Sequence, residues 1–154
     1  GERSERNDPI GTIRIRGGLK NSSSAAERLI EKSTIPSVID ELPLLAVVGT
    51  QIEGGIQIKD AGELRHKESD RLSATATNLR LMGASVEEHP DGLTVHGPTV
   101  LRGASLNAFG DHRIAMAFAV AALIADGPTG IDGADCVNIS FPEFFALLDS
   151  VSVR

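Results

Sequence analysis

The sequence is poor in aromatic side chains and in sulfur. Its 154 residues include no Trp, no Tyr and a single cysteine, Cys136. Without Trp or Tyr, the chain has little material for stacking on bases or sugars. A lone cysteine excludes an internal disulfide and no signal peptide is visible, so the sequence predicts a reducing, cytoplasmic compartment.

An excess of positive charge and a long apolar run are also absent. The formal net charge is −6, from 15 Lys and Arg against 21 Asp and Glu. Nucleic acids and anionic membranes favour a cationic surface, so neither is expected as a partner, although Arg14, Arg16 and Lys20 form a small basic patch. The longest apolar run, Ile114–Ala125, is shorter than the roughly 20 residues that span a bilayer. We therefore expect a buried helix there.

The histidines do not indicate a metal site. His66, His89, His96 and His112 show no ligand-like spacing with one another or with Cys136. Cys136 also has no histidine within a few residues, which makes a nucleophilic role a weak reading. We expect neither a bound metal nor a catalytic thiol.

What is present is a pattern typical of a mixed α+β domain with a real core, since 41% of the residues are hydrophobic. Apolar spacing of two predicts strands and spacing of three to four predicts helices. The predicted strands are Thr12–Arg16, Gly54–Lys59, Val100–Leu106 and Thr129–Asp132, with a hairpin formed by Ser85–Glu88 and Leu93–His96. The predicted helices are Ala25–Glu31, a helix that begins with Asp40 as its N-cap, Leu72–Met82, a helix that runs from its N-cap Asp111 to Ala125, and Pro142–Leu148. Because crossovers and a hairpin alternate, the sheet should be mixed.

An internal repeat supports this assignment. Several residues recur at one constant offset, as Gly54 and Gly127 do (127 − 54 = 73). The matched pairs are Ala46-Val47 with Ala119-Val120, Glu53-Gly54 with Asp126-Gly127, Ile58 with Ile131, and Ala61 with Ala134. Two copies of a helix–turn–strand unit are therefore predicted, against the alternative of chance among common residues. The same offset carries Asp40 onto Arg113, so both units should present a charged group at a helix start.

The densest charges lie in the stretch Glu63–Arg71, immediately before the helix predicted from Leu72. Lys67, Arg71 and Arg113 lie near helix N-termini, where a cation meets the positive end of the macrodipole and typically costs about 0.3–1 kcal/mol. An anion in front of them would reverse that sign, since free N–H groups and arginine forks bind phosphate and carboxylate. The stretch therefore indicates an anion site.

Each of these groups, considered alone, also has a purely structural interpretation. The bases could pair with neighbouring acids on a wet surface, where ion pairs contribute little. Asp40 could be only a helix cap, and His112 only a structural neighbour of Asp111. Glu68 lies three residues before Arg71, on the same helical face, which also makes it a candidate acid/base with a tuned pKa. The residues alone do not name the reaction.

Four motifs in order resemble the EPSP synthase (3-phosphoshikimate 1-carboxyvinyltransferase) family. They are Ile39-Asp-Glu-Leu-Pro43, Ala61-Gly-Glu-Leu-Arg-His-Lys-Glu-Ser-Asp-Arg71, Gly110-Asp-His-Arg-Ile-Ala-Met116 and Ser140-Phe-Pro-Glu-Phe144. The resemblance extends from about Ile35 to Leu148 and is to the C-terminal part of these enzymes. The related UDP-N-acetylglucosamine enolpyruvyl transferases are a poorer match to the Lys-Glu-Ser-Asp-Arg motif.

The resemblance implies a fold of repeated βαβαββ units with mixed sheets and buried helices. It divides this chain into a lead-in, 1–34, and a C-terminal part of an enolpyruvyl transferase domain, 35–154, with the upstream domain missing. The implied reaction transfers the enolpyruvyl group of phosphoenolpyruvate to the 5-hydroxyl of shikimate 3-phosphate, on the shikimate pathway to chorismate and the aromatic amino acids. No cofactor is implied, and the missing N-terminal segment is an expected partner.

The resemblance also implies roles for particular residues. Glu68 matches the acid/base near the methylene carbon, and Asp40 the carboxylate at the shikimate hydroxyls. Lys67 matches a substrate-binding lysine. Arg71 and Arg113 match arginines that hold phosphoenolpyruvate and the inhibitor glyphosate. Asp111 is expected to orient these side chains.

Two positions depart from the family pattern. Ile139 stands where some members carry a lysine before the Ser/Thr-Phe-Pro motif, and His66 stands where valine is usual. Because the upstream domain is missing, we expect the chain alone to have little transferase activity. The alternative is a non-catalytic remnant or binding domain of the same fold.

Overall fold

A computed structural model describes residues 3–5, 8–10, 12, 14 and 28–152. The elements in chain order are β1 (Arg3–Glu5), β2 (Asp8–Ile10), β3 (Leu29–Ile30), α1 (Ile35–Val38), α2 (Leu42–Gly49), β4 (Ile56–Ile58), α3 (Arg71–Leu81), β5 (Val86–His89), β6 (Gly92–Val95), β7 (Ser105–Asn107), α4 (His112–Ala122), β8 (Gly130–Asp132) and α5 (Phe144–Val151). Short 3₁₀ turns occupy Lys32–Thr34, Gly62–His66 and Ala134–Ile139.

The main sheet is mixed, as predicted. Its strand order is β3-β4-β6-β5, with β3 parallel to β4 and the remaining neighbours antiparallel. A second, two-stranded sheet pairs β7 with β8 in parallel, and a third pairs β1 with β2. The predicted hairpin is therefore confirmed as β5–β6, with Pro90 and Asp91 in its turn.

Helix α3 follows from the apolar spacing of its sequence. Leu72, Ala76, Leu79 and Met82 recur at helical intervals and all are buried. Asp70 caps the N-terminus, because its Oδ1 accepts a hydrogen bond from the Ser73 N–H at 3.0 Å. This places the charged stretch directly in front of the first turn.

Helix α4 begins in the same way. Asp111 is its N-cap and accepts a hydrogen bond from the Arg113 N–H at 2.9 Å. Ile114, Ala117, Phe118 and Ala121 bury one side of the helix in the core. The helix ends at Ala122, earlier than predicted, and the chain continues as turns to Ala125.

The core forms where α2, α3 and α4 pack together and onto the sheet. Helix α2 contacts both α3 and α4, and α3 also packs against β5, β6 and β7. Ala46, Ile58, Leu79 and Phe118 are fully buried in this single cluster. The starts of α3 and α4 are thereby brought close to the turn that precedes α2.

The predicted repeat is present as a repeat of elements. The first unit runs β3, α1, α2, β4, α3 and then the hairpin β5–β6, which is a βαβαββ order when the consecutive helices α1 and α2 count as one helical segment. The second runs β7, α4, β8 and α5. In both, the two single strands pair in parallel and a 3₁₀ turn separates the second strand from the second helix.

Two assignments from the sequence are wrong. The helix expected at Ala25–Glu31 is replaced at Leu29–Ile30 by a strand, because β4 offers parallel hydrogen bonds, including Gln57 N–H to the Arg28 carbonyl at 2.8 Å. Residues 25–27 lie outside the described part. Asp40 is not an N-cap, since Glu41 precedes α2 and no side chain caps it. Ion pairing with arginines accounts for the position of Asp40.

Other assignments shift or are not covered. The strand predicted at Val100–Leu106 lies at β7, with an isolated bridge at Arg102. The strand predicted at Thr12–Arg16 falls mostly outside the described residues, and Thr12 and Arg14 carry no regular secondary structure. Within the described part of the chain, no helix is long and apolar enough to cross a bilayer.

Candidate functional site

The Arg71 guanidinium is the centre of a charged cluster. As the first residue of α3 it is only 2% exposed. Its Nε donates to Asp111 Oδ2 at 2.7 Å, Nη1 to Asp40 Oδ1 at 2.8 Å and Nη2 to Glu68 Oε2 at 2.7 Å. One arginine thus joins three carboxylates from three separate segments, and each bond is charge-assisted.

Asp111 lies at the bottom of this cluster and is fully buried. Besides Arg71, it accepts hydrogen bonds from the Ser69 hydroxyl at 3.0 Å and the Arg113 N–H. A buried carboxylate is stable when its lone pairs are satisfied by a cation and by donors such as these. The cap of α4 is therefore also the main countercharge of Arg71.

Arg113 extends the cluster toward the surface. Its Nη1 donates to Glu41 Oε1 at 2.9 Å and its Nη2 approaches Asp40 Oδ2 at 3.5 Å. Asp40 therefore bridges Arg71 and Arg113, one oxygen to each. We define the charged cluster as Asp40, Glu41, Glu68, Arg71, Asp111 and Arg113.

The charged cluster has a buried part and a solvent-exposed face. Arg71 and Asp111 are inaccessible, whereas the side chains of Asp40 and Glu68 are 43% and 50% exposed. Arg113 is one-third exposed. The open groups are held by buried ones, which is the arrangement a binding or catalytic face needs.

The pKa values of the carboxylates respond to this geometry. The hydrogen bond from Arg71 lowers the pKa of Asp40 below its ordinary value, against the opposing effect of burial. Burial alone would raise the pKa of Asp111, but the hydrogen bond and charge of Arg71 outweigh it and the pKa is lowered. Burial also disfavours the charged form of Arg71 and by itself would lower its pKa. The hydrogen bond and charge of Asp111, together with the carboxylates of Asp40 and Glu68, outweigh this effect, and the pKa of Arg71 is raised. The central pair is therefore ionised at neutral pH.

A cavity of about 260 Å³ adjoins the cluster between α2, α4 and the start of α5. Asp40, Glu41 and Arg113 form its polar rim. Its apolar lining consists of Leu44, Met116, Ala117, Val120, Phe141 and Phe144. The Ser-Phe-Pro motif thus lies beside Asp40 and Arg113, which are predicted from two of the other three motifs.

Five of the six site residues predicted from the sequence meet in the charged cluster. Lys67 does not contact it, because its Nζ pairs with Glu63 at 2.7 Å. Sequence reasoning missed Glu41 and Ser69. The spacing of Glu41 from Arg113 is close to that of the repeat and could have suggested their contact, whereas Ser69 had no such signal.

The remaining residues of interest lie apart from the cluster or at its edge. His112 opens α4 and borders a second cavity of about 190 Å³ with Arg113. Ile139 is 87% exposed, and His66 is exposed on the 3₁₀ turn. Burial raises the pKa of the Cys136 thiol, which packs against a small apolar cluster. That raised pKa favours the thiol over the nucleophilic thiolate.

The fold and the cluster define a class: an α+β domain of βαβαββ units with charged groups gathered at helix starts. Within that class, the chain belongs to the EPSP synthase family, since the family's sequence model, described as EPSP synthase (3-phosphoshikimate 1-carboxyvinyltransferase), matches residues 12–148. The resemblance drawn from the four motifs is thus confirmed for the family.

Individual relatives give the same result. The chain is 59% identical over 118 residues to the 3-phosphoshikimate 1-carboxyvinyltransferase of Koribacter versatilis, covering 77% of this chain and 28% of that protein. It is 46% identical over 149 residues to that of Solibacter usitatus, covering 97% and 34%. The solved EPSP synthase from Acinetobacter baumannii matches with a TM-score of 0.84 and 32% identity, over 100% of this chain and 35% of that one. The chain spans about a third of these proteins.

The buried pair generates a prediction about stability. Replacing Asp111 by alanine leaves the Arg71 guanidinium buried without the one fully buried carboxylate of the charged cluster and removes the cap of α4. We expect Asp111→Ala to lower the free energy of unfolding by about 3–5 kcal/mol, measured by urea denaturation. The exposed Asp132→Ala serves as control and should change it by less than about 0.5 kcal/mol. Equal effects of the two substitutions would contradict the central role of the pair.

The lowered pKa values generate a prediction about pH. A carboxylate whose pKa is lower in the folded state stabilises the fold fully above its unfolded pKa, about 3.9, and this stability is lost as the pH falls through the folded pKa. The free energy of unfolding should therefore decline from about pH 5 downward. Urea titrations between pH 7 and pH 3 should show a shallower decline for Asp40→Asn. Parallel curves for the two proteins would exclude a contribution from Asp40.

Proposed function

We propose that this chain is the C-terminal part of a 3-phosphoshikimate 1-carboxyvinyltransferase and carries one wall of its active site. The reaction joins the enolpyruvyl group of phosphoenolpyruvate to the 5-hydroxyl of shikimate 3-phosphate, in the cytoplasm. The observation that carries the proposal is the convergence of Asp40, Glu68 and Asp111 on Arg71. These residues come from three of the four family motifs and meet within hydrogen-bond distance.

The chemistry requires two kinds of proton transfer. The 5-hydroxyl loses its proton as it adds to C2 of phosphoenolpyruvate, while the methylene carbon gains one, which gives a tetrahedral intermediate. Loss of a methyl proton and of phosphate then restores the double bond. We assign the proton transfers at carbon to Glu68 and the contact with the shikimate hydroxyls to Asp40. Both are half-exposed carboxylates fixed by Arg71, which suits general acid–base work.

The cations of the chain would hold the anionic groups of the substrates. Arg113 offers an accessible fork beside the cavity and is assigned to phosphoenolpyruvate, and to glyphosate as its competitor. The charge of Lys67 is close enough to contribute to the lowered pKa of Asp40, after the larger effects of Arg71, burial and Arg113, and Lys67 is assigned to substrate binding beside it. The direct contact of Arg71 with phosphoenolpyruvate stays a prediction, because most of its donors are occupied by carboxylates. Its charge still favours an anion nearby.

The charge balance of this wall indicates that the active site needs a second wall that supplies further cations. The charged cluster contains four carboxylates against two guanidinium groups. Two anionic substrates would therefore meet net negative charge, which further cations must offset. We assign those cations to the remainder of a full-length enzyme. No organic cofactor or metal enters this scheme, since the steps need only proton transfer and fixed charge.

The dependence on a second wall can be tested by completing the protein. We expect the 154-residue chain alone to release little phosphate from phosphoenolpyruvate and shikimate 3-phosphate. Fused to the remaining part of the Koribacter versatilis relative, it should turn over at a rate comparable to that relative. Phosphate release by both proteins decides the matter. Full activity of the chain alone would overturn the two-wall scheme, and an inactive, folded fusion would favour a non-catalytic remnant.

The role of Glu68 can be tested in the same fusion. Glu68→Gln keeps the size of the side chain but removes its proton affinity. We expect kcat to fall by roughly 10²–10⁴-fold, the usual contribution of a general acid–base group. Glu87→Gln is the matched control, because Glu87 is exposed on β5 and pairs only with His96 among the ion pairs described. A kcat within about twofold of the unmodified fusion for Glu68→Gln would exclude this role.

A further inference from the structure

The turn of the β5–β6 hairpin is bound by the segment that leads into the site. Three consecutive carbonyls of the turn accept hydrogen bonds from residues 61–65. The Asp91 carbonyl accepts from the Ala61 N–H at 2.7 Å, and the Pro90 and His89 carbonyls accept from Arg65 at 2.7 and 2.6 Å. A solvent-facing turn does not need such partners, so these contacts fasten the segment to the hairpin.

Arg65 makes the largest part of this connection. Besides the two carbonyls, its Nη1 donates to Asp70 Oδ2 at 2.8 Å and to Glu88 Oε1 at 3.1 Å. The side chain is about one-quarter exposed. Its planar fork therefore holds two backbone oxygens and two carboxylates in one fixed geometry, which a lysine could not reproduce.

Asp70 transmits this geometry to the helix. Its Oδ2 binds Arg65 while its Oδ1 caps α3 through the Ser73 N–H. The next residue, Arg71, is the centre of the charged cluster. The intervening residues Lys67, Glu68 and Ser69 thus lie between two ends that the same arginine fixes.

We propose that Arg65 is a positioning residue that sets the location of Glu68 and Lys67 through the β5–β6 hairpin. The part of this inference that concerns turnover rests on the proposed function. The described partners of Arg65 are Asp70, Glu88 and two carbonyls of the hairpin, none of them in the charged cluster, so it acts through the segment and not on the substrate. The hairpin, which lies outside the site, thereby becomes part of what aligns it.

Arg80 provides a matched control. It lies on α3 and also binds the hairpin, through two hydrogen bonds to the Val86 carbonyl at 3.2 and 2.9 Å and a 3.8 Å approach to Glu88. It makes no contact with residues 66–70 among those described. Loss of Arg80 therefore weakens attachment of the hairpin without releasing the segment.

The first measurement is amide hydrogen exchange on the 154-residue chain. Arg65→Ala should speed exchange by about tenfold or more at the Ala61 amide, which donates to the hairpin turn, and at the Ser73 amide, which donates to Asp70. Arg80→Ala should leave both amides unchanged, because exchange reports local opening. Arg65→Lys should be intermediate, which guards against a variant that simply unfolds. Unchanged exchange at the Ala61 and Ser73 amides in a folded Arg65→Ala chain would overturn the proposal.

The second measurement is turnover by the completed fusion. Arg65→Ala should lower kcat by roughly 10²-fold, the effect of about 1 Å of misplacement, with a smaller change in KM. Arg80→Ala should retain kcat at a similar melting temperature. Equal losses in both variants, in proportion to stability, would reduce Arg65 to a structural residue. An inactive unmodified fusion would refute the proposed function alone, since exchange would still decide the positioning role.

Discussion

The buried guanidinium of Arg71 is the constraint on which the rest of the site depends. A charge removed from water is tolerated only when countercharges and hydrogen bonds surround it closely. Asp40, Glu68 and Asp111 meet that requirement from the turn before α2, the segment before α3 and the cap of α4. None of these segments can move without exposing or unpairing Arg71. The ion pairs therefore fix the mutual position of three loops that have little regular structure of their own.

The same interaction explains why cations are tolerated at the starts of two helices. The macrodipole opposes Arg71 at the first position of α3 and Arg113 at the second position of α4. In the sequence this opposition indicated an anion in front of the helices. The structure supplies that anion from the chain itself, because carboxylates of Asp40 and Asp111 face both helix ends. A substrate anion would add to this arrangement and is not needed to form it.

The sequence predicted those features that depend on local pattern. Helices α3 and α4, the Asp111 cap of α4 and the hairpin follow from periodicity and turn residues, and four ordered motifs identified the family. The helix predicted at Ala25–Glu31 rests on the capping residues before it, whereas Leu29–Ile30 is too short to show a strand pattern and only pairing with β4 decides its state. The helical spacing that follows Asp40 indicates a cap, whereas the ion pairs that determine its position span 31 and 73 positions. Long-range contacts of this kind leave no local signal.

The repeat explains how a nearly symmetric framework holds an asymmetric site. The two units place equivalent positions, Asp40 and Arg113, near the starts of α2 and α4, which pack side by side. If both positions carried charges of the same sign, the electrostatic interaction between them would be unfavourable, because they lie close together. Opposite signs convert it into an attraction, and Asp40 can then bridge Arg113 and Arg71. One difference in charge between the two units thus places an acidic group beside basic ones, with Asp40 2.8 Å from Arg71 and 3.5 Å from Arg113.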